Sequence, residues 1–337
     1  MLLRLADPDR RYAAVRLCSD LPLSEEERSY ARRDGEWRLE LTPPPVTRLE
    51  YLLEVVRRDG ASERVCDPRN PNRAPGAFGE KSVLVLPGYT APRWLGEDGV
   101  PGSVEELEVR GRGLGARVGI RIWSPQDADP AEPLPLLAAH DGPEYDRLAA
   151  LTRFTAVAIR SGELPRHRVA MLAPGHRDEW YSASARYAGA MVGDLLPAIR
   201  EAIAVRGAPA GMGASLGALA MLHIQRRHPG TLGALFLQSG SFFMPRFDAH
   251  EARFPRYRRI VRFVRATLHQ PRPTGPVPVE LTCGSAEENV HNNRLMARAL
   301  AAQGYPATLH EVPDTHNYTA WRDAFEPHLK RLLARAW

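Results

Sequence analysis

The chain reads as an α/β protein, a mostly parallel sheet with helices on both faces, preceded by a small antiparallel β-sandwich. Three observations carry this. Short alternating or apolar runs, separated by Asp-Gly and Pro-rich turns, fill roughly the first hundred residues. Beyond them, apolar strand-like runs recur with helical patterns between them, which implies parallel strands covered by crossover helices. One strand-to-helix turn, within "APAGMGASLGALAML" at 208–222, is crowded with glycine.

The sandwich strands are expected at 12–18 (YAAVRLC), 36–41 (EWRLEL), 49–56 (LEYLLEVV) and 63–66 (ERVC), divided by "RRDGEW", "LTPPPVT" and "RRDGAS". The Pro/Gly/Asn-rich segment 66–82 has little periodicity and reads as a sandwich edge merging into a linker. Residues 1–102 are therefore expected to form an amino-terminal domain with its linker, and 103–337 a second domain. In the second, strands are expected at 105–110, 117–124, 134–139, 154–159, 232–238, 277–283 and 307–312. Apolar residues at three- and four-residue spacing predict helices over 181–203, 218–227 and 292–304, the last closed by Gly304.

Composition sets bounds. A chain of 337 residues, 44% hydrophobic and 25% charged, can bury a sizeable core. The net charge of +5 comes from mixed charges, 45 Lys+Arg against 40 Asp+Glu, with no basic stripe or reader motif, so no nucleic-acid partner is expected. Three cysteines, Cys18, Cys66 and Cys283, are odd in number and unspaced, which predicts neither a disulfide framework nor a zinc site. The start "MLLRLADPDRR" has no signal-peptide core, and no run approaches the roughly 18 apolar residues of a membrane helix. A soluble cytoplasmic protein without a membrane partner is expected, and nothing specifies an oligomeric state.

Of three chemistries that use such a glycine-rich turn, the residues fit one. A dinucleotide fingerprint starting at Gly211 would need glycine where Leu216 stands, and a phosphate-binding P-loop would need a lysine that the stretch lacks. No cofactor is expected on that ground. G-x-S-x-G fits, as Gly213-Ala214-Ser215-Leu216-Gly217. In such a nucleophile elbow the serine hydroxyl is pushed out of a strained turn, and small residues two before and two after let strand and helix cross closely. The helix amino terminus, with the Leu216 amide, can then stabilise an oxyanion.

An elbow serine needs a base, and the base needs an orienting acid, in the chain order Ser, Asp/Glu, His. "PVPVELTCGSAEEN" offers a strand followed by Glu287 and Glu288, and "LHEVPDTHNYTAWRDAF" a strand followed by His316. Either glutamate could serve, and the other would be a charge at a helix start. His140, in "LLAAHDGPEY", is the competing base, but it precedes the serine and breaks the order.

With these residues in place the chain resembles a known family. "HDGPEY", "GASLGA", "QSGSFF", "CGSAEEN" and "VPDTHNYTAWRDAF", with "RLEYLLEV", "CDPRNPNRAPGAFGEKSVLVLPGY" and "APRWL" before them, are similar to the enterochelin-esterase-like branch of the α/β-hydrolases, siderophore esterases within the esterase D superfamily. The resemblance implies an α/β-hydrolase fold behind an immunoglobulin-like sandwich. It implies Ser215 as nucleophile, His316 as base and Glu287, three after Gly284, as acid, with Glu288 the alternative. It also implies an oxyanion hole of the Leu216 amide and one from the "DG" turn. There Pro143 has no N–H, so either Gly142 or Glu144 donates or the hole is built differently. Arg177 and Glu179 are expected to pair beside the site, and Tyr145, Arg177, Arg258 and Arg259 are candidate substrate contacts.

Family enzymes hydrolyse ester or lactone bonds of catecholate siderophores, whose iron complexes are anionic, so the implied partner is a small-molecule ester, iron-bound or free. In "RFDAHEARFPRYRRIVRFVRATLHQ" (246–270), Ile260, Phe263, Val264 and Leu268 make one stripe, and Arg258, Arg259, Arg262 and Arg265 fall largely elsewhere. That segment is either a basic lid or a solvated helix face. Two other functions compete. One is a carbohydrate-linked, feruloyl-type or general acyl esterase with the sandwich as a glycan-binding module; Trp37 and Trp94 could be its sugar platforms, but core or interface positions are expected for them. The other is a non-catalytic binding protein, against which the complete Ser, Glu and His set argues.

Overall fold

The structure is a computed structural model and describes residues 1–269 and 275–337. It separates into two compact units. One comprises Met1–Thr90 with Gly284–Glu288 and Val312–Ala320, and the other Ala91–Cys283, Asn289–Glu311 and Trp321–Trp337.

The first unit is built on two antiparallel sheets. Strands β1 (Leu2–Ala6), β2 (Tyr12–Cys18), β3 (Ala31–Arg33), β4 (Glu36–Glu40), β5 (Arg48–Arg57), β6 (Ser62–Val65), β7 (Arg73–Ala74) and β8 (Lys81–Val85) pair in the orders β1-β4-β3 and β2-β5-β8-β7, with β6 on β5. Alternation decides the faces. Leu49, Tyr51, Leu53 and Val55 of β5 are fully buried with Val15 and Leu17 of the neighbouring β2 and with Leu3, Leu5 and Leu39 of the other sheet. Trp37 is in this core, its Nε1–H donating to Asp7 at 3.1 Å, so it offers no platform to a sugar.

The second unit carries an eight-stranded mixed sheet, the α/β-hydrolase arrangement. Its strands are β9 (Gly102–Gly111), β10 (Ala116–Pro125), β11 (Leu136–His140), β12 (Arg168–Leu172), β13 (Ala210–Ala214), β14 (Ala234–Gln238), β15 (Val279–Gly284) and β16 (Ala307–Val312), in the order β16-β15-β14-β13-β11-β12-β10-β9. Strands β12, β11, β13, β14 and β15 run parallel, and β10 and β9 close the edge antiparallel. β11, β12, β13, β14 and β15 have every residue buried, as strands covered on both faces require. Trp94 is also buried, edge-on to Phe154.

One expected strand is corrected. Residues 154–159 lie in the helix Leu151–Arg160, whose buried Leu151, Phe154, Thr155 and Ala158 recur at helical spacing. A short apolar run does not by itself separate a strand from a buried helix. The strand β12, unforeseen, takes that place in the sheet.

Strand β13 turns directly into the helix Leu216–Arg227, which packs back on β13 and β14. A β-carbon on Gly213 would lie 2.6 Å from the carbonyl carbon of Gly217. Gly213→Ala should therefore cost about 1–3 kcal/mol by overpacking against backbone. A thermal melt should show a lowered midpoint, and an unchanged one would mean that the crossing can open.

Candidate active site

β11 and β13 are adjacent and parallel, while β12 lies on the far side of β11. The chain leaves β11 for β12 on one side and leaves β13 for β14 on the other. At such a switch point the loops beyond the strand carboxyl ends diverge and leave a crevice. Two turns stand there. After β11, Asp141 is left-handed (φ 49°) and the helix Gly142–Ala149 begins, with Pro143 in its first turn. After β13, Ser215 has φ 56° and ψ −122° before the helix begins at Leu216.

A non-glycine residue there carries about 1–3 kcal/mol of strain, which the surroundings must hold. Ser215 N–H donates to Gln238 O at 2.9 Å, and Ser215 O accepts from Leu219 and Ser241 N–H, each at 3.2 Å. The half-buried Ser215 Oγ lies 3.0 Å from Ser241 Oγ. Gln238 is itself fixed, accepting from Tyr145 Oη at 2.9 Å and donating to Thr282 Oγ1 (3.1 Å) and Trp321 O (3.0 Å). Asn293 accepts from Gly240 N–H and donates to Gly240 O, both at 3.0 Å. The motif "QSGSFF" brought Ser241 into view. The same motif contains Gln238, but nothing in the sequence marks Gln238 or Asn293 as supports of the serine.

Tyr145, a candidate substrate contact, is fully buried by this arrangement. It is a strut beneath the site, because its hydroxyl spans to Gln238 and its ring lies among Trp321 and Phe325. His140 is also buried. Its Nδ1–H donates to Gly217 O and its Nε2 accepts from Tyr187 Oη, each at 3.0 Å, and burial pushes it down to about 4. A neutral imidazole with both nitrogens engaged is a packing group here.

The expected Arg177–Glu179 pair is corrected. Arg177 forks onto Asp141, Nε at 3.0 Å from Oδ1 and Nη2 at 2.9 Å from Oδ2. Residues two apart on the short helix Arg177–Trp180 do not face each other, so Glu179 pairs elsewhere. Its partners are Arg256 and Arg259, the latter at 2.7 Å through Nη1. Arg259 also donates to Ser182 O at 2.6 Å. Its guanidinium thus clamps the 176–184 segment rather than standing open to substrate. Arg258 is exposed, and with Arg262, Arg265 and His269 it lines an open groove of about 750 Å³. Ile260 and Val264 are buried on the opposite stripe of the helix Tyr257–His269.

In the first unit Glu287 and His316 meet. Glu287 Oε1 accepts from Gly284 N–H at 2.8 Å and Oε2 from His316 Nδ1–H at 2.9 Å, with the carboxylate buried. Glu288 is exposed. A carboxylate acceptor requires the proton on Nδ1, which leaves the neutral imidazole its lone pair on Nε2. Burial disfavours the imidazolium, but the Glu287 charge and hydrogen bond outweigh it and raise His316 above its ordinary value.

An α/β-hydrolase sheet with a strained serine at its central turn defines the class as an esterase or a close relative. The family model described as "Putative esterase" matches residues 111–332, and the chain belongs to this family. In fold it is similar over its whole length to the enterobactin esterase of Shigella flexneri, solved with enterobactin (TM-score 0.73, 19% identity, 100% of this chain and 92% of that one). The ferric enterobactin esterase of Salmonella typhimurium is alike at TM-score 0.75 and 18% identity, with 100% and 93% covered. A ferulic acid esterase matches 71% of this chain and 100% of its own at TM-score 0.58 and 16% identity. No curated protein matches by sequence. No described helix is long and apolar enough to cross a membrane.

In Glu287→Gln the imidazole loses the charge that holds its proton, so NMR titration of His316 should move to lower pH. Glu288→Gln should move it less, since that side chain is exposed. The reverse order would show that the 2.9 Å contact does not govern His316.

Proposed function

We propose that this esterase hydrolyses the ester bonds of a catecholate trilactone siderophore, free or iron-bound, through an acyl-serine intermediate. One observation supports the substrate. The likeness to the enterobactin esterases spans the whole chain, amino-terminal strands included, whereas the ferulic acid esterase matches 71% of it. An extra unit shared with the enterobactin esterases, and lying beyond the part that the ferulic acid esterase matches, favours a large substrate. The exposed Arg258, Arg262 and Arg265 suit an anionic iron complex.

Ser215 is assigned as the nucleophile, His316 as the base and Glu287 as the acid. His316 Nε2 takes the proton of Ser215 Oγ as the oxygen attacks the ester carbonyl. The tetrahedral oxyanion is met by the Leu216 amide and by a second N–H from the turn after β11, where Gly142 is the candidate because Pro143 has none. The intermediate collapses as His316 returns the proton to the leaving alkoxide, leaving the acyl group on Ser215. Water then attacks the acyl-enzyme, with His316 again the base. Glu287 keeps the productive tautomer and stabilises the transient imidazolium.

Ser215→Ala should abolish phosphonate labelling and lower turnover by about 10⁴-fold or more. Persistent labelling at another residue would remove Ser215 from the role. A panel of trilactone, feruloyl and p-nitrophenyl esters tests the substrate. The trilactone should have the highest kcat/KM, and in the iron complex that value should fall as salt rises. A feruloyl ester as the best substrate would replace the siderophore reading with the acyl-esterase one.

A further inference from the structure

Strand β5 places Leu49, Tyr51, Leu53 and Val55 in the sandwich core, so Arg48 and Glu50 point to its other side. Charged side chains on such a face ordinarily meet water. Here Arg48 is 3% and Glu50 1% exposed. The segment carrying His316 packs against Arg48, the Tyr89 ring lies over its guanidinium, and Lys81 stands beside Glu50. Arg48 Nη2 donates to Glu50 Oε1 and to Asn317 Oδ1, each at 2.8 Å, and Nε stands 3.4 Å from Asp314 Oδ2. Thr47 N–H donates to Pro313 O at 2.8 Å. Asp314 Oδ1 in turn accepts from Thr315 N–H (2.7 Å) and Asn317 Nδ2 (2.8 Å), and Asn317 Oδ1 from Ala320 N–H (2.8 Å).

We propose that Arg48 is a positioning residue for the esterase reaction, holding His316 in register with Glu287 by gripping the side chains two before and one after it. The inference rests on His316 being the catalytic base. A guanidinium suits the task, because Nη2 donates to Glu50 and Asn317 while Nε, fixed in the same plane, faces the Asp314 carboxylate, a rigid spacing that a point-like ammonium lacks. Buried ion pairs contribute little net stability, yet their geometry is demanding. A misplacement of about 1 Å in a reacting group can cost about 10²-fold in rate. Arg48 thus makes turnover depend on a side chain of the sandwich that touches no substrate.

The test uses full-length protein and p-nitrophenyl butyrate. Arg48→Met should lower kcat by about 10–100-fold with KM changed less than about two-fold. The NMR signal of the His316 Nδ1–H shared with Glu287 should weaken. Arg48→Lys, which keeps the charge but not the fork, should recover part of kcat. Should Arg48→Met fail to fold with Glu50 and Asp314 left unpaired, the neutral variant Arg48→Met/Glu50→Gln/Asp314→Asn removes the same grip without buried charge. It should show the same loss of kcat and of the proton signal. A folded variant with wild-type kcat and an intact signal overturns the proposal, as does a rise in KM alone. His316→Ala separates the two layers. If it is inactive while Arg48→Met behaves as wild type, this inference alone falls. If it is fully active, the triad reading and this inference fall together.

Discussion

A β-carbon on Gly213 would sit 2.6 Å from the Gly217 carbonyl carbon, and that contact dictates how β13 hands over to its helix. With no side chain at either position the helix can fold back across the strand, and the one residue left to make the reversal is Ser215. Its φ of 56° follows from that, not from any preference of serine. The strain is held by neighbours already fixed in the sheet. Gln238, at the end of β14, receives the Ser215 N–H on its carbonyl and uses its amide side chain to tie Tyr145, Thr282 and Trp321 together. The next residue, Ser239, is itself left-handed (φ 46°), with its N–H on Thr282 O and its hydroxyl accepting from Trp321 Nε1–H. One close approach thus propagates through the ends of two further strands.

The other organising device is the buried carboxylate. Asp141, Glu50, Asp314 and Glu287 are each 5% exposed or less, and each has a cation or imidazole against it. Breaking such a pair leaves an uncompensated buried charge, although the intact pair adds little to stability. The arrangement therefore favours one loop conformation over others rather than the folded state over the unfolded. Asp141 shows this in backbone terms. Its left-handed turn opens the helix Gly142–Ala149, and the Arg177 fork fixes the side chain of the residue that makes the turn.

How much of this the sequence discloses depends on how local the cause is. The elbow is legible because its steric demand falls on residues two apart, so G-x-S-x-G is the physical requirement written out. The pairing of Glu287 with His316 is legible because both are polar residues just beyond apolar strands. The run 154–159 is not legible, because six apolar or small residues satisfy a strand and a buried helix equally. Arg177 is misread because Glu179 lies close in sequence while Asp141 lies 36 residues away. Arg48 is the extreme case. Alternation marks it as facing water, and its covering partner Asn317 is 269 residues distant.

Asn317 shows why the His316 segment needs amide chemistry and not merely a polar residue. Its oxygen accepts from the Arg48 guanidinium and from Ala320 N–H, while its nitrogen donates to Asp314 Oδ1 and to Thr315 O and Oγ1. Donor and acceptor are both in use, on opposite sides of one planar group. Aspartate has the same shape but no donor, and would set a second carboxylate 2.8 Å from that of Asp314. Leucine would leave a guanidinium hydrogen and a backbone N–H buried without acceptors, at about 1–3 kcal/mol each. An amide alone can face a cation on one side and a carboxylate on the other. The segment flanking His316 is therefore ordered by complementarity between neighbouring side chains, where the segment carrying Ser215 is ordered by backbone sterics.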